Sequence, residues 1–419
     1  MNPFLNSILY SLLITKEVTG VGDTLAYTWF GRPNYAYSET ANKYWIGSTK
    51  NTPDGTTQHI TEYDITENVY SSTKLGTKYV KDDHNQAQIL IRESDGRLIV
   101  FYTEHVGLTV RYRVSTNPLD SSSFGNEEII SDSPASSYAS PYQASNGDIF
   151  VFWRYTPGTI QEEWYYSKST DEGITFLAPI KLYKTGRRAY LITNQLDDTI
   201  HFIANDAHPQ INYSVNASVY HFKFDLINEV AYDSYDNVIV LPLIPSVITP
   251  IYTPINYDTS WILDITFKNN LPRVLYLNYP DGLTSDYLNK ELWFAEFNGT
   301  QWINKQKIAT VMIGYIETDE TIGELAYTGA SRFSVSNPDI IWMPKQVLNE
   351  ENKLVLEIHK VDISTPIIFI KQLTFNSAVN NWRPISLDSS KNNLLWLRNN
   401  VYNSFQDYDI TLMTTTINV

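Results

Sequence analysis

From residue 25 onward the chain is built of short apolar and β-branched runs of four to seven residues, each closed by a tight turn, and no stretch carries a sustained helical period. The run Gln88 to Arg92 ends at Ser94-Asp95-Gly96, and Leu98 to Thr103 follows it. Asp148 to Arg154 comes after Ser145-Asn146-Gly147, Arg273 to Asn278 precedes Pro280-Asp281-Gly282, and Glu291 to Phe297 precedes Asn298-Gly299. Asn-Gly and Asp-Gly pairs supply the positive φ that two-residue hairpin turns require, so the pattern predicts successive antiparallel hairpins. Without crossover helices a parallel α/β sheet is excluded, which leaves an all-β sandwich, barrel or propeller.

One segment chooses among these. Ser169-Thr170-Asp171-Glu172-Gly173-Ile174-Thr175-Phe176, behind the run Glu163 to Ser167, fits the S-x-D-x-G-x-T-W/F hairpin turn known as an Asp box. The carboxylate accepts backbone hydrogen bonds across the turn, the glycine takes the positive φ, and the aromatic packs beneath the hairpin. Weaker echoes lie at Ser115-Thr116-Asn117 with Phe124, and at Asn298-Gly299-Thr300-Gln301-Trp302. Such turns mark blades of a β-propeller, and about 395 residues at about 40 to 60 per four-stranded blade give seven blades as the central expectation. Residues 25–419 therefore read as a single propeller domain, with residues 1–24 as an N-terminal extension. There Phe4, Leu5, Ile8, Leu9, Leu12 and Leu13 fall in pairs four apart, with Asn2 as N-cap and Pro3 at the first helical position, which predicts a short amphipathic helix. Its apolar stripe either packs on the propeller itself or docks it to further copies or to a larger particle.

A formal net charge of -15 excludes nucleic acid as partner, because phosphate binding needs a basic footprint. An acidic polysaccharide meets the same repulsion unless arginines are gathered locally, and six of the twelve do fall between Arg97 and Arg188. Cysteine is absent, so disulfides, thiolate metal sites and mixed His and Cys zinc sites are excluded. No cofactor is expected; a structural calcium ion finds no EF-hand-like ligand loop to support it. No stretch is apolar and long enough to span a bilayer, and the N-terminal apolar run has no basic residue before Lys16 and no small-residue cleavage site. The expectation is a protein without a secretory signal, either cytoplasmic or assembled into a particle such as a virion, with export by another route left open.

Polar residues punctuate the strand pattern between Lys81 and His208: Asp82-Asp83-His84-Asn85, His105, Tyr138, Arg154, Arg187-Arg188-Ala189-Tyr190 and Asp206-Ala207-His208-Pro209. Two imidazoles, two phenols and a guanidinium on one scaffold can abstract a proton next to a carboxylate and neutralise the charge that develops. Each also has a plainer reading. His84 can cap a turn, Tyr138 is one of 30 tyrosines, and Arg154 can form a structural ion pair.

The order of these pieces resembles the BNR-repeat, sialidase-like propellers, and within them the polysaccharide lyases of the ulvan lyase type. The resemblance runs from about Tyr27 to the C-terminus. It rests on Lys43-Tyr44-Trp45-Ile46-Gly47, Asp83-His84-Asn85, Tyr102-Thr103-Glu104-His105, Tyr138 with Phe152-Trp153-Arg154, Arg188-Ala189-Tyr190, and Ile200-His201-Phe202 followed by Asp206-Ala207-His208-Pro209. The distal half adds Tyr327-Thr328-Gly329-Ala330-Ser331, Trp382-Arg383-Pro384 and Tyr402-Asn403-Ser404-Phe405-Gln406-Asp407-Tyr408.

The resemblance implies β-elimination on a uronic-acid-containing polysaccharide, sulfated or not, with His84, His105, Tyr138 and Arg154 in the pocket. Tyr138 would serve as base and acid, Arg154 and His84 would neutralise the substrate carboxylate, and His105 would be a second proton-transfer group. Arg187, Arg188, Tyr190, Asn85 and His208 are the expected substrate contacts, His208 at the rim, while His201 reads as core or channel lining. Two other classes stay open. One is a glycan-binding or depolymerising appendage of a bacteriophage virion, and the other is a sialidase-like hydrolase, for which the three pocket arginines and the carboxylic acid are not found.

Overall fold

Each hairpin read from the sequence belongs to a four-stranded meander, and seven such sheets stand around one axis. The computed structural model describes residues 16–17 and 25–416, apart from 53, 68, 77–78, 131–135, 157–161, 209–215, 256–257, 281–288, 314–327 and 388–392. Numbered in chain order, blades one to seven begin with the inner strands Leu25–Ala26, Gln88–Ile91, Ser136–Gln143, Leu191–Leu196, Thr259–Lys268, Arg332–Phe333 and Asn380–Ser386. In each sheet the inner strand comes first and its neighbours follow outward, all antiparallel. All seven inner strands therefore start from the same face. That face gathers the segments entering each blade and the loops between second and third strands.

The ring closes in the seventh blade. Its outer strand, Lys16–Glu17, pairs antiparallel with Asp407–Thr416 in the register Lys16 to Thr414 and Glu17 to Met413. This pairing ties a segment that precedes blade one into blade seven, and the division into seven small sheets leaves only short, protected edges. The amphipathic helix expected within residues 1–24 lies outside the described residues, apart from these two, which are strand. Blade one gains Tyr35–Ser38 beside its second strand, and blade four gains Val238–Ile239 and Pro250–Tyr252. The turn Pro245–Val247 is the only helical element among the described residues, and no helix there is long and apolar enough to cross a membrane.

The many aromatic residues pack where blades meet. Between blades two and three, Phe101 and Tyr112 face Phe176 at ring distances of 5.8 and 5.1 Å. Phe176 ends the Asp box, so this ring packs against the preceding blade and ties the two together. Within the box, Asp171 accepts from Thr175 N at 2.9 Å, Thr175 Oγ1 at 2.5 Å and Ser169 Oγ at 2.8 Å. Gly173 holds φ +82, and a Cβ there would meet Ile99 Cδ1 at 2.9 Å, so only glycine fits without a shift.

Down the axis, Trp29, Phe30, Tyr190 and Trp261 form a plug. Phe30 lies 4.4 Å from Trp29, 4.5 Å from Tyr190 and 5.7 Å from Trp261.

Asp171→Ala removes three accepted hydrogen bonds from a largely exposed turn, for an expected loss of about 1–2 kcal/mol. Urea unfolding should show a lower midpoint with an unchanged slope.

Candidate active site

On the face where the inner strands begin, blades two, three, four and seven bring the polar punctuation together. Asp82-Asp83-His84-Asn85 forms the segment entering blade two, and His105 lies in the loop between Arg97–Tyr102 and Val110–Pro118 of that blade. The two imidazoles stack with centroids 4.5 Å apart and 12° between planes, and Phe405 of blade seven meets both edge-on at 5.2 and 5.8 Å. Tyr138 sits in a β-bulge of the third inner strand between Ser137 and Ser140, with φ 59. Ser137 pairs with Arg154 on the adjacent strand, so the bulge turns the phenol over the guanidinium, whose carbon lies 4.6 Å from the Tyr138 ring and 4.8 Å from that of Tyr190. His84, His105, Tyr138 and Arg154, drawn from two blades, thus form one contiguous group.

Carboxylates beneath the rings set the charges. Asp82 Oδ1 lies 2.8 Å from His84 Nδ1 and its Oδ2 lies 2.9 Å from His105 Nδ1. Asp83 Oδ1 is also 2.8 Å from His84 Nδ1, while Asp83 Oδ2 accepts from Arg383 Nη1 at 2.6 Å and Tyr402 Oη at 3.1 Å. Burial opposes a charge on His84, but Asp83 and Asp82 outweigh it and raise the imidazole to about 9. His105 goes the other way. Burial, with repulsion from His84 and Arg154, outweighs the attraction of Asp82 and lowers it to about 4. Its Nε2 lies 3.2 Å from Arg154 Nη2, so a neutral ring donates from Nδ1 to Asp82 and keeps its Nε2 lone pair. Burial, reinforced by Tyr190, pushes the Tyr138 phenol well above its ordinary range despite Arg154, and its Oη has no hydrogen-bond partner among the described residues. Burial opposes the charge of Arg154, but Glu162, whose Oε2 is 3.2 Å from Nη1, outweighs it and holds the guanidinium charged.

The His105 side chain is 18% exposed against 4% for His84, so His105 is the ring that opens to solvent. Arg187 and Arg188 lie half-buried nearby, and Arg188 Nε is 3.0 Å from Glu162 Oε1. Tyr190 and His208 belong to the floor. His208 packs 5.5 Å from Tyr190 and 4.5 Å from Trp261, and burial pushes it well below the usual imidazole value, so it is neutral. Asn85, read from the sequence as a substrate contact, is fully buried instead. Its amide donates to Thr56 Oγ1 and Val80 O, and its oxygen accepts from His105 N at 2.6 Å, so it anchors the His105 loop from below. His201 is buried and paired with His221 at 3.0 Å, as the core reading expects.

Sequence reasoning missed four partners. Glu162 carried no motif, Arg383 stood out only inside Trp382-Arg383-Pro384, and the carboxylates of Asp82 and Asp83 were noted without a role. Asp82, His84 and His105 also place potential ligand atoms within 4.8 Å of one another, so they could hold a metal ion, although ligation at either Nδ1 would displace its bond to Asp82.

A family model described as BNR repeat-containing family member matches residues 28–309. The chain belongs to the BNR repeat-containing family. Among curated relatives of this family member, Ulvan Lyase-PL25 of Pseudoalteromonas sp. (strain PLSV) is 30% identical over 121 residues, 26% of this chain and 24% of that protein. Ulvan lyase of Nonlabens ulvanivorans is 26% identical over 249 residues, 54% of this chain and 49% of that protein. The chain thus spans between about a quarter and about half the length of these relatives. Among solved structures, polysaccharide lyase PL25-Ulvanlyase bound to -[GlcA(1-4)Rha3S]- superposes with TM-score 0.68 at 19% identity, covering 94% of this chain and 93% of that one. Polysaccharide lyase Uly1 gives 0.60 at 10% identity, covering 96% and 91%. At these identities the superpositions show a shared fold.

The two imidazoles bend stability in opposite directions. His84, raised when folded, contributes in full below its ordinary value near 6.5, and that contribution is lost as pH rises through about 9. His105, lowered when folded, makes stability fall as pH drops from about 6.5 to about 4. Imidazole NMR titration should place one ring near each value, and His84→Gln should flatten the alkaline side of the stability profile while His105→Gln flattens the acid side.

Proposed function

We propose that this propeller is a polysaccharide lyase that cleaves a uronic-acid-containing polysaccharide by β-elimination. The observation that carries the reading is the pairing of opposite states in one contact group: a neutral imidazole with a bare nitrogen, His105, against a cationic imidazole, His84, with a protonated phenol and a fixed guanidinium beside them. The naming of curated relatives as ulvan lyases, and a solved neighbour bound to a glycan containing GlcA, support it.

In this reading the uronate carboxylate replaces His105 as the partner of Arg154 Nη2 and comes under the charge of His84, which acidifies the hydrogen on C5. His105 Nε2 takes that proton. The electron pair forms the C4–C5 double bond as the C4–O bond breaks, and Tyr138 Oη–H protonates the departing oxygen. The family resemblance assigns both proton transfers to Tyr138. Its burial favours the acid half alone, and the base half passes to His105, whose tautomer Asp82 fixes. Arg187 and Arg188 are then placed to meet further anionic groups of the polymer.

Hydrolysis is less well served. Most glycosidases set two carboxyl groups across the bond, and a sialidase-like one still needs a free carboxylic acid beside its tyrosine nucleophile, whereas Asp82, Asp83 and Glu162 are each engaged with His84 and His105, Arg383, or Arg154 and Arg188.

Incubation with uronate polysaccharides should produce the ultraviolet absorbance of a 4,5-unsaturated uronate, which hydrolysis does not give. His105→Gln and Tyr138→Phe should each slow that signal about 10²- to 10⁴-fold. Because the Tyr138 hydroxyl has no partner among the described residues, Tyr138→Phe should unfold at the same or a slightly higher urea concentration. Full activity in either variant removes that residue from the mechanism. The rate should also fall below about pH 4, where His105 is protonated, and above about pH 9, where His84 loses its charge.

A further inference from the structure

The inner strands carry a second site, separated from the first by the aromatic plug. Moving along the inner strands of blades three to seven away from the His84 face, the side chains pass the level of Trp29, Phe30, Tyr190 and Trp261. They then line a cavity of about 450 Å³ that includes Arg32, Thr193, Asp264, Arg332, Ser334 and Ser386. None of the four residues of the candidate active site borders it. Val335, 56% exposed, stands at its edge, so the cavity reaches toward the opposite face of the propeller.

Its charges do not balance. Arg32 Nη1 pairs with Asp264 Oδ1 at 2.5 Å, and its Nη2 donates to Leu263 O at 3.2 Å. The two carboxylate oxygens of Asp264 also accept from the backbone N–H groups of Ile265 and Phe333 at 2.8 and 2.7 Å. Arg332 is left over. It is 7% exposed, it has no ion-pair partner within 4.0 Å among the described residues, and its Nε has no hydrogen-bond partner there. Two guanidinium groups against one carboxylate leave one positive charge inside the protein, an arrangement that is strongly unfavourable unless an anion joins it. Burial and the nearby Arg32 accordingly push the Arg332 guanidinium down to about 9.

The geometry points to a binding site for a small hydroxylated carboxylic acid of monosaccharide size, its carboxylate on Arg332. One carboxylate cancels the residual charge, and the fork of a guanidinium matches its two oxygens. The volume falls within the roughly 300–1,000 Å³ of small-molecule sites. Thr193, Ser334 and Ser386 line the cavity; their hydroxyls already bond to Tyr142 Oη, Ser336 Oγ and Val335 N, and each keeps capacity for a further bond to a ligand. The site stands whether or not the pocket on the other side of the plug is a lyase centre.

Thermal unfolding of the full chain tests this with D-glucuronate as probe, D-glucose as its uncharged analogue and sodium chloride at matched ionic strength. Glucuronate should raise the midpoint in a saturable way that neither control reproduces, and Arg332→Met should abolish that rise while unfolding at the same or a higher temperature without ligand. A wild-type midpoint indifferent to glucuronate overturns the proposal. So does an equal rise in Arg332→Met, which would place the binding in the His84 pocket. Arg332→Lys, which keeps the charge but loses the fork, guards against a variant that does not fold. It should bind glucuronate at least several-fold more weakly by calorimetry, and unchanged affinity also overturns the assignment.

Discussion

Two neighbouring carboxylates, Asp82 and Asp83, govern the upper end of the axis. They face different ways. Asp82 holds both imidazoles from beneath, while Asp83 binds His84 on one side and Arg383 with Tyr402 on the other, so the chain of charges crosses from blade seven into blade two. Asp83 N also donates to Phe405 O at 2.9 Å, which fixes the ring that covers the histidines. Such a buried network is not a strong source of net stability, because desolvation offsets much of the attraction. Its effect is to leave few arrangements in which every charge has a partner.

That restriction explains how two stacked imidazoles come to differ. With ring centroids 4.5 Å apart in a buried setting, two positive charges would repel strongly, so one ring protonates and the other does not. His84 touches both carboxylates and takes the proton. His105 shares one of them and faces Arg154, and it stays neutral. Burial of Tyr138 completes the set by keeping a proton where a less enclosed phenol could lose it more readily.

How much of this was legible follows from sequence distance. The hairpins and the Asp box were readable because Asp171, Gly173 and Thr175 act within a few residues of one another. The grouping of His84, His105, Tyr138 and Arg154 followed from their order in a known kind of chain. Their division of labour did not, because it depends on burial and on partners such as Arg383, 300 residues from Asp83. Asn85 shows the same gap. A polar residue beside a histidine looks like a ligand contact until the fold places Thr56 and Val80 against its amide. Arg332 is a plainer case, since nothing in its local sequence says that its guanidinium ends up in a cavity where the carboxylate of Asp264 already serves Arg32.

The bulge under Tyr138 has a counterpart. In blade seven the register also breaks on the inner strand, between Trp382 and Ile385, and Arg383 there takes φ 49, close to the value of Tyr138. Side chains other than glycine rarely accept that conformation, so finding a tyrosine and an arginine in it marks a backbone feature of the blade rather than a preference of either residue. The scaffold therefore repeats a socket aimed at the axis, and each copy takes its character from what fills it. A guanidinium ties blades together in one, and a buried phenol lies over the guanidinium of Arg154 in the other. New chemistry on such a ring needs no new loop, only a different occupant in a kink that already exists.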